Sequence, residues 1–317
     1  MIYTVTLNPS LDKTLFFPRL VLGELNGARQ VRLDVGGKGF NVSRALLALS
    51  LRSVAMGFVA GAAGEYLRRG LETLGIETDL VQISGETRAN LTMVEESTGV
   101  ITKLNEPGPQ VSEADVEALL GRIRRQAMEE DIWVMSGSVP PGRPADIYAR
   151  IVKIVHQVGG TAFLDSSGPP LREGCRAAPY GVKPNVEEAA VALDRPLRSE
   201  EELRGAIEGL LEIGIQLVAL SRGAKGALVG SQEGIVWAVP PPSVLVKSPI
   251  GAGDALLAGI VFAVKSGLDL ESIARWAVAT GTAAAMQEGT GMGKGEEVEK
   301  LVRRIGIQRR LRLQASG

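Results

Sequence analysis

Two short apolar runs, Ile132-Trp133-Val134-Met135 and Thr161-Ala162-Phe163-Leu164-Asp165, flank the segment Ala145 to Gln157, which reads as a helix. Strand, helix, strand at this spacing is a parallel βαβ unit, because two parallel neighbours need a crossover to bring the chain back to the same end of the sheet. Working outward, the rhythm repeats in Ser53 to Val59 followed by Glu65 to Thr73. Ile2 to Leu7 reads as a first strand, and Asn41 to Leu49 sets Val42, Ala45, Leu46 and Leu49 at helical spacing. Two further helix starts are marked by Ser112 with Asp115 and Ser199 with Glu202, a hydroxyl three residues ahead of a carboxylate, which together can cap free backbone N–H groups. The later chain is more helical, with Ala252 to Ser266, Leu270 to Met286 and Gly295 to Arg304 as candidates. There is no internal repeat and no low-complexity linker, so a single α/β domain over 1–310 is expected, with 311–317 as a flexible tail.

Two stretches break the rhythm: Leu15 to Val35, and Arg88 to Leu104 with Ser97-Thr98-Gly99 as its turn. Both read as strands of a small β layer, over about 12–35 and 88–104. Hairpins of this size cannot close a core alone, so they either fold over the main sheet as a lid, pair with another subunit, or add edge strands to the main sheet. The pattern does not choose between these.

The composition, 45% hydrophobic and 22% charged, is that of a globular chain able to bury a core. Lys and Arg number 35 against 36 Asp and Glu, which leaves no global positive charge to hold a nucleic acid or an anionic membrane. One cysteine, Cys175, and one histidine, His156, exclude an internal disulfide and a Cys/His zinc cage. A reducing cytoplasm is expected. The opening MIYTVTLNPSLDK lacks the pattern of a targeting signal, and the apolar run Ala255 to Val264 is well short of a membrane span.

The strongest chemical signal is Gly251-Ala252-Gly253-Asp254, running directly into the apolar helix Ala255 to Phe262. Glycines at a helix start let backbone N–H groups approach an anion, to which the helix dipole adds positive potential. Either a phosphate binds there or Asp254 simply caps the helix. A dinucleotide fingerprint is incomplete, since Leu256 stands at its third glycine, and no G-x-x-x-x-G-K-[ST] occurs. The second signal is Gly36-Gly37-Lys38-Gly39 with Asn41. Its glycines permit close approach of a ligand, Asn41 offers a donor and an acceptor, and Lys38 a point charge; a plain strand-to-helix turn would read the same.

Six motifs in order give these fragments a common meaning. They are Thr6-x-Asn8-Pro9-x-x-Asp12, the Gly-Gly-Lys-Gly-x-Asn loop, Ser136-Gly137-Ser138-Val139-Pro140, Lys183-Pro184-Asn185-x-x-Glu188, Ser221-x-Gly223-x-x-Gly226 and Gly251-x-Gly253-Asp254. Together the chain resembles the ribokinase-like (PfkB) carbohydrate kinases. Thr87-Arg88, Thr102 to Pro109 and Asp165-Ser166-Ser167-Gly168 resemble the branch holding 1-phosphofructokinase, tagatose-6-phosphate kinase and the minor 6-phosphofructokinase.

The resemblance implies a three-layer α/β/α fold with a small β-sheet lid, paired as a homodimer through the lids. It implies ATP and Mg²⁺, and transfer of a phosphoryl group to a ketohexose monophosphate, with fructose 1-phosphate as the expected acceptor. Asp254 would be the base, and the amides of Gly251, Ala252 and Gly253 an anion hole. The helix dipole should hold Asp254 ionised with a low pKa, which a loose transition state that depends on positioning tolerates. Asp12, Gly37, Asn41 and Ser138 would hold sugar hydroxyls. Lys38, Arg88 and Lys103 would supply the charge-assisted donors that a dianionic phosphate needs, although Arg88 and Lys103 also read as ordinary exposed charges. Lys183, Asn185 and Glu188 would serve the ATP phosphates, Glu188 reaching Mg²⁺ through water, although Asn185 and Glu188 also read as a helix cap and a surface residue. Ser221, Gly223 and Gly226 would line the nucleotide or form a bland strand-to-turn segment. Two departures from the family pattern, Arg222 and Phe40, remove no catalytic group. Tagatose-6-phosphate kinase and the minor 6-phosphofructokinase are the alternative activities, and a non-catalytic sugar-phosphate-binding regulator is a more distant reading.

Overall fold

A computed structural model describes residues 1–309. The boundary expected at 310, the tail 311–317 and the far end of the arginine-rich stretch Arg303 to Arg312 lie outside the described residues.

The strands are β1 (Ile2–Thr6), β2 (Ser10–Phe17), β3 (Gln30–Gly36), β4 (Val54–Val59), β5 (Glu77–Gln82), β6 (Ala89–Glu95), β7 (Ile101–Asn105), β8 (Ile132–Ser136), β9 (Thr161–Asp165), β10 (Gly181–Val182), β11 (Leu217–Ser221), β12 (Ala227–Ser231), β13 (Gly234–Val239) and β14 (Gly306–Arg309). Ten of them form one sheet in the order β14-β13-β12-β11-β10-β9-β8-β1-β4-β5. From β5 to β11 all neighbours are parallel; β12, β13 and β14 extend the far edge antiparallel.

Strand β8 shows why the sheet is covered twice. Ile132 and Val134 pack into one hydrophobic cluster, Trp133 and Met135 into another, so its alternate side chains serve opposite faces. One face is covered by helices α3 (Glu113–Gln126), α4 (Ile147–Gln157), α5 (Gly168–Arg176), α6 (Val186–Ala192) and α7 (Glu200–Glu212). The other carries α1 (Lys38–Ala48), α8 (Ala252–Lys265), α9 (Leu270–Ala285) and α10 (Gly295–Val302). The remaining helix, α2 (Gly61–Thr73), buries Leu67 and Leu71 against Phe40, Ala55 and Ile76. This is the three-layer α/β/α arrangement expected, with both predicted capping boxes, Ser112–Asp115 and Ser199–Glu202, in place.

The two irregular stretches are not edges of the main sheet. They form a separate four-stranded sheet in the order β3-β2-β6-β7. In its register Asp12 stands opposite Asn90 in the parallel β2–β6 pair and opposite Asp34 in the antiparallel β2–β3 pair. Its outer strands, β3 and β7, leave Val31, Leu33, Ile101 and Leu104 exposed. Among the described residues no helix is long and apolar enough to cross a membrane. His156 is exposed on α4 and Cys175 is buried.

Candidate active site

Helix α8 starts from Gly251, whose φ of 79° is left-handed and whose bare Cα faces Met292; a Cβ there would stand 3.1 Å from Met292 Cε. Of the expected trio of free amides, Ala252 turns its N–H to the Pro249 carbonyl at 3.3 Å. Gly253 and Asp254, at the second and third helical positions, have N–H groups with no acceptor within the helix, and the expected Gly251 amide stands beside them at the N-cap.

Asp254 is only 7% exposed. Burial, with the nearby charge of Asp165 adding to it, pushes its carboxyl up to about 6 against the opposing pull of Lys38, Asn41 and Lys183. The low pKa expected from the helix dipole is therefore corrected. A carboxylate taken out of water beside a second carboxylate loses more than one helix terminus returns. A group poised near 6 is also a better proton acceptor than one held near 3.

Helix α1 faces α8. Asn41 Nδ2 donates to Asp254 Oδ2 at 2.9 Å, so two motifs 213 positions apart meet at one carboxylate. Lys38, the first residue of α1, has its Nζ 3.4 Å from Asp165 Oδ1 and 3.6 Å from Glu188 Oε1. Asp165 also pairs with Lys183 at 3.3 Å and is fully buried. Burial pushes Asp165 up, but Lys183 and Lys38 outweigh it and hold the carboxyl below its ordinary value. Lys38 was expected to face the sugar phosphate; it is drawn instead into this carboxylate cluster, and its pKa rises because of Asp165 and Glu188, with burial opposing.

Asn185 and Glu188 form a reciprocal capping box at the start of α6, Asn185 Oδ1 accepting from Glu188 N at 2.8 Å and Glu188 Oε2 from Asn185 N at 2.9 Å. The cap reading is thus correct, yet Glu188 is no surface glutamate, since its other oxygen faces Lys38. Beside these residues opens a cavity of about 600 Å³ that Ser221, Gly223, Gly226, Asn185, Ala252 and Gly253 help to line. Its remaining wall is largely apolar, with Val244, Leu256 and Val278. That is a wall on which an adenine can lie, with a helix N-terminus at its end for phosphates. A smaller cavity of about 280 Å³ near Arg222 and Trp237 shares none of these residues. Among the described residues no group of three or more His, Cys, Asp or Glu is placed to hold a metal ion.

On the small sheet, Asp12 Oδ1 accepts from Ser10 Oγ at 2.7 Å and from Asn90 Nδ2 at 3.2 Å, while Asn90 Oδ1 is buried with no partner among the described residues. Burial raises the Asp12 carboxyl, opposed by the bonds from Ser10 and Asn90. Ser138 is exposed and accepts from Asn8 Nδ2 at 3.4 Å. The Arg88 guanidinium donates to the carbonyls of Asn8 (3.0 Å), Glu106 (3.1 Å) and Pro9 (3.4 Å). It ties β6 to the β1–β2 connection and keeps two of its five N–H groups uncommitted. Lys103 is exposed on β7 opposite Thr92. Gly37 closes the loop between β3 and α1.

Sequence reasoning missed Asn90, Asp165, Arg44 and Thr290. Arg44 donates to Asn41 Oδ1 and Thr290 Oγ1, both at 3.2 Å. For Asp165 a signal did exist, a carboxylate that ends an apolar strand and opens the Asp165-Ser166-Ser167-Gly168 motif.

A helix N-terminus carrying a buried carboxylate, between an apolar nucleotide-sized cleft and a polar β layer, is the layout of a sugar-phosphorylating enzyme, and comparison with known proteins agrees. Residues 5–295 match the model of the pfkB family carbohydrate kinases. The chain is similar to the 1-phosphofructokinase of Borreliella burgdorferi, 34% identical over 97% of this chain and 98% of that one. It is 31% identical to the tagatose-6-phosphate kinase of Staphylococcus epidermidis, over 97% and 99% respectively. Among solved structures, phosphofructokinase-2 from Escherichia coli in complex with potassium superposes with a TM-score of 0.91 at 29% identity, covering 96% of this chain and 98% of that one. This chain belongs to the pfkB family of carbohydrate kinases.

Proposed function

We propose that the protein transfers the γ-phosphoryl group of ATP to a ketohexose monophosphate, with fructose 1-phosphate as its acceptor and fructose 1,6-bisphosphate as its product. The observation that carries this reading is the placement of Asp254: buried, raised toward neutrality, and one residue from a cleft-lining glycine amide. In the reaction a bond forms between the acceptor oxygen and the γ-phosphorus as the bond from that phosphorus to the bridging oxygen breaks. The hydroxyl proton passes to Asp254 and ADP leaves. The Gly251, Gly253 and Asp254 N–H groups and Lys38 meet the charge on the moving phosphoryl group.

Asp12, Asn90, Asn41, Ser138 and the Gly37 backbone serve the sugar hydroxyls, the orphan oxygen of Asn90 being one that a hydroxyl would satisfy. The uncommitted N–H groups of Arg88, together with Lys103, serve the phosphate the sugar already carries. Lys183 and Asn185 stand at the ATP phosphates. Mg²⁺, when bound, would neutralise charge on those phosphates, and Glu188 would hold it through its water shell. Fructose 1-phosphate leads because the 1-phosphofructokinase relative is the more similar one. We further propose one domain through 310, a cytoplasmic location matched to ATP and to the lone buried cysteine, and a homodimer. In that dimer the exposed apolar side chains of β3 and β7 are covered by a second copy, as open sheet edges require.

A coupled ADP-release screen over phosphorylated and free hexoses tests this reading. Turnover with fructose 1-phosphate well above that with tagatose 6-phosphate, fructose 6-phosphate or free fructose is expected. Preference for either of the other phosphates would reassign the acceptor, and phosphosugar binding without ADP release would make the protein a regulator.

A further inference from the structure

The Asn41 amide is claimed at both ends. Its Nδ2 donates to Asp254 Oδ2 at 2.9 Å, and its Oδ1 accepts from Arg44 Nη1 at 3.2 Å. The two orientations of an amide are nearly identical in shape, so a neighbour that can only donate decides between them. Arg44 is such a neighbour, having no acceptor atom and a charge it keeps throughout the neutral range. It lies one turn beyond Asn41 on α1, on the same face. Its own aim is set by Thr290, a 5% exposed residue that accepts from the same nitrogen at 3.2 Å. A flipped amide would turn its NH₂ to a guanidinium and its oxygen to a carboxylate, two repulsions in place of two hydrogen bonds.

We propose that Arg44 is a positioning residue for phosphoryl transfer: by holding Asn41 Oδ1 it directs Asn41 Nδ2 onto Asp254 Oδ2, which leaves Oδ1 of Asp254 as the atom that receives the hydroxyl proton. The proposal rests on Asp254 acting as base in the function proposed above. The surrounding charges fit it. Asp254 is faced by Asp165 from β9, Lys183 after β10, and Lys38 and Asn41 from α1. Arg44 is faced by Asp34 from β3, Asp12 from β2 and Asp254 from α8; burial lowers its pKa and these three carboxylates oppose that. Removing Arg44 takes away a cation and releases the amide, and both losses disfavour the ionised form of Asp254.

Arg44→Met, Arg44→Lys, Thr290→Val and Asn41→Ala, with the Asn41→Ala/Arg44→Met double variant, test this by two readouts. In steady state, R44M should lower kcat by about 10- to 100-fold with KM for ATP within about twofold. The acid limb of its pH profile should move up by about one pH unit. R44K should recover part of the loss, T290V should shift the limb the same way by less, and R44M should add little in the N41A background. A uniform loss at every pH with the limb unmoved, or full additivity with N41A, would overturn the proposal. Carboxyl ¹³C NMR titration of Asp254 in the ligand-free wild type and variants needs no turnover. A shifted titration in a protein that phosphorylates no sugar defeats the kinase reading alone; an unshifted one in an active kinase defeats the Arg44 role alone. Should R44M not fold, R44K and T290V carry the same comparison.

Discussion

Gly36 lies directly against Asp12, so close that a Cβ on residue 36 would overlap the Asp12 carboxylate. The two are brought together by the β2–β3 register, in which Gly36 pairs with Ser10, itself a donor to Asp12. A side chain at 36 must push Asp12 away from Ser10 and Asn90. Gly36→Ala is therefore expected to raise KM for the phosphosugar by about tenfold while leaving KM for ATP within about twofold. Equal rises for both substrates would remove Asp12 from the sugar site.

The Asp254 carboxyl sets the pH response. With its pKa raised to about 6, the base is lost by protonation below that pH, so kcat/KM should fall tenfold per pH unit on the acid side with a midpoint near 6. Stability runs the other way. A carboxyl that binds its proton more tightly when folded than when unfolded costs stability above its folded pKa, and that cost fades between about pH 6 and pH 4. Asp254→Asn should therefore stabilise the protein at pH 8 by up to about 3 kcal/mol and do nothing at pH 4. Urea unfolding at both pH values measures it, and equal effects at the two would contradict the raised pKa.

Buried Asp165 is held by Lys183 from within and by Lys38 from the cleft side. Lys183→Met leaves the carboxylate one cation, half exposed, and should destabilise the protein by about 3 kcal/mol in urea unfolding. Asp165→Leu/Lys183→Met removes the stranded charge and should recover part of that. A double variant less stable than K183M would contradict the account.

How much of this was written in the sequence depends on the range of each signal. Period-two and period-3.6 patterns are local, so β8, α4, β9 and the α8 start were legible, as were both capping boxes. Strand β5, an edge strand with no clean alternation, and β10, only two residues long, were not. The glycine motifs announced Asp254 and Asn41 because a tight turn has a local cost. Arg44 with Thr290, and Asp12 with Asn90, are partners only after folding. The same limit explains the sign error on Asp254 and the expected aim of Lys38: burial and opposing charges come from strands distant in sequence.

The exposed apolar residues on β3 and β7 predict self-association. Leu33→Asp or Ile101→Asp should convert a dimer into a monomer by sedimentation velocity. Since Asp12 belongs to the same sheet, the phosphosugar KM should rise in the monomer. A wild-type protein that sediments as a monomer at micromolar concentration would contradict the lid pairing.

The most direct test of the central claim is Asp254→Asn assayed for both turnover and binding. The substitution keeps the shape and the hydrogen bond to Asn41 but removes the proton acceptor. ADP release with fructose 1-phosphate should fall by at least about 10²-fold, while calorimetry still detects the phosphosugar at close to wild-type affinity. A variant that keeps most of its kcat would show that residue 254 is not the base.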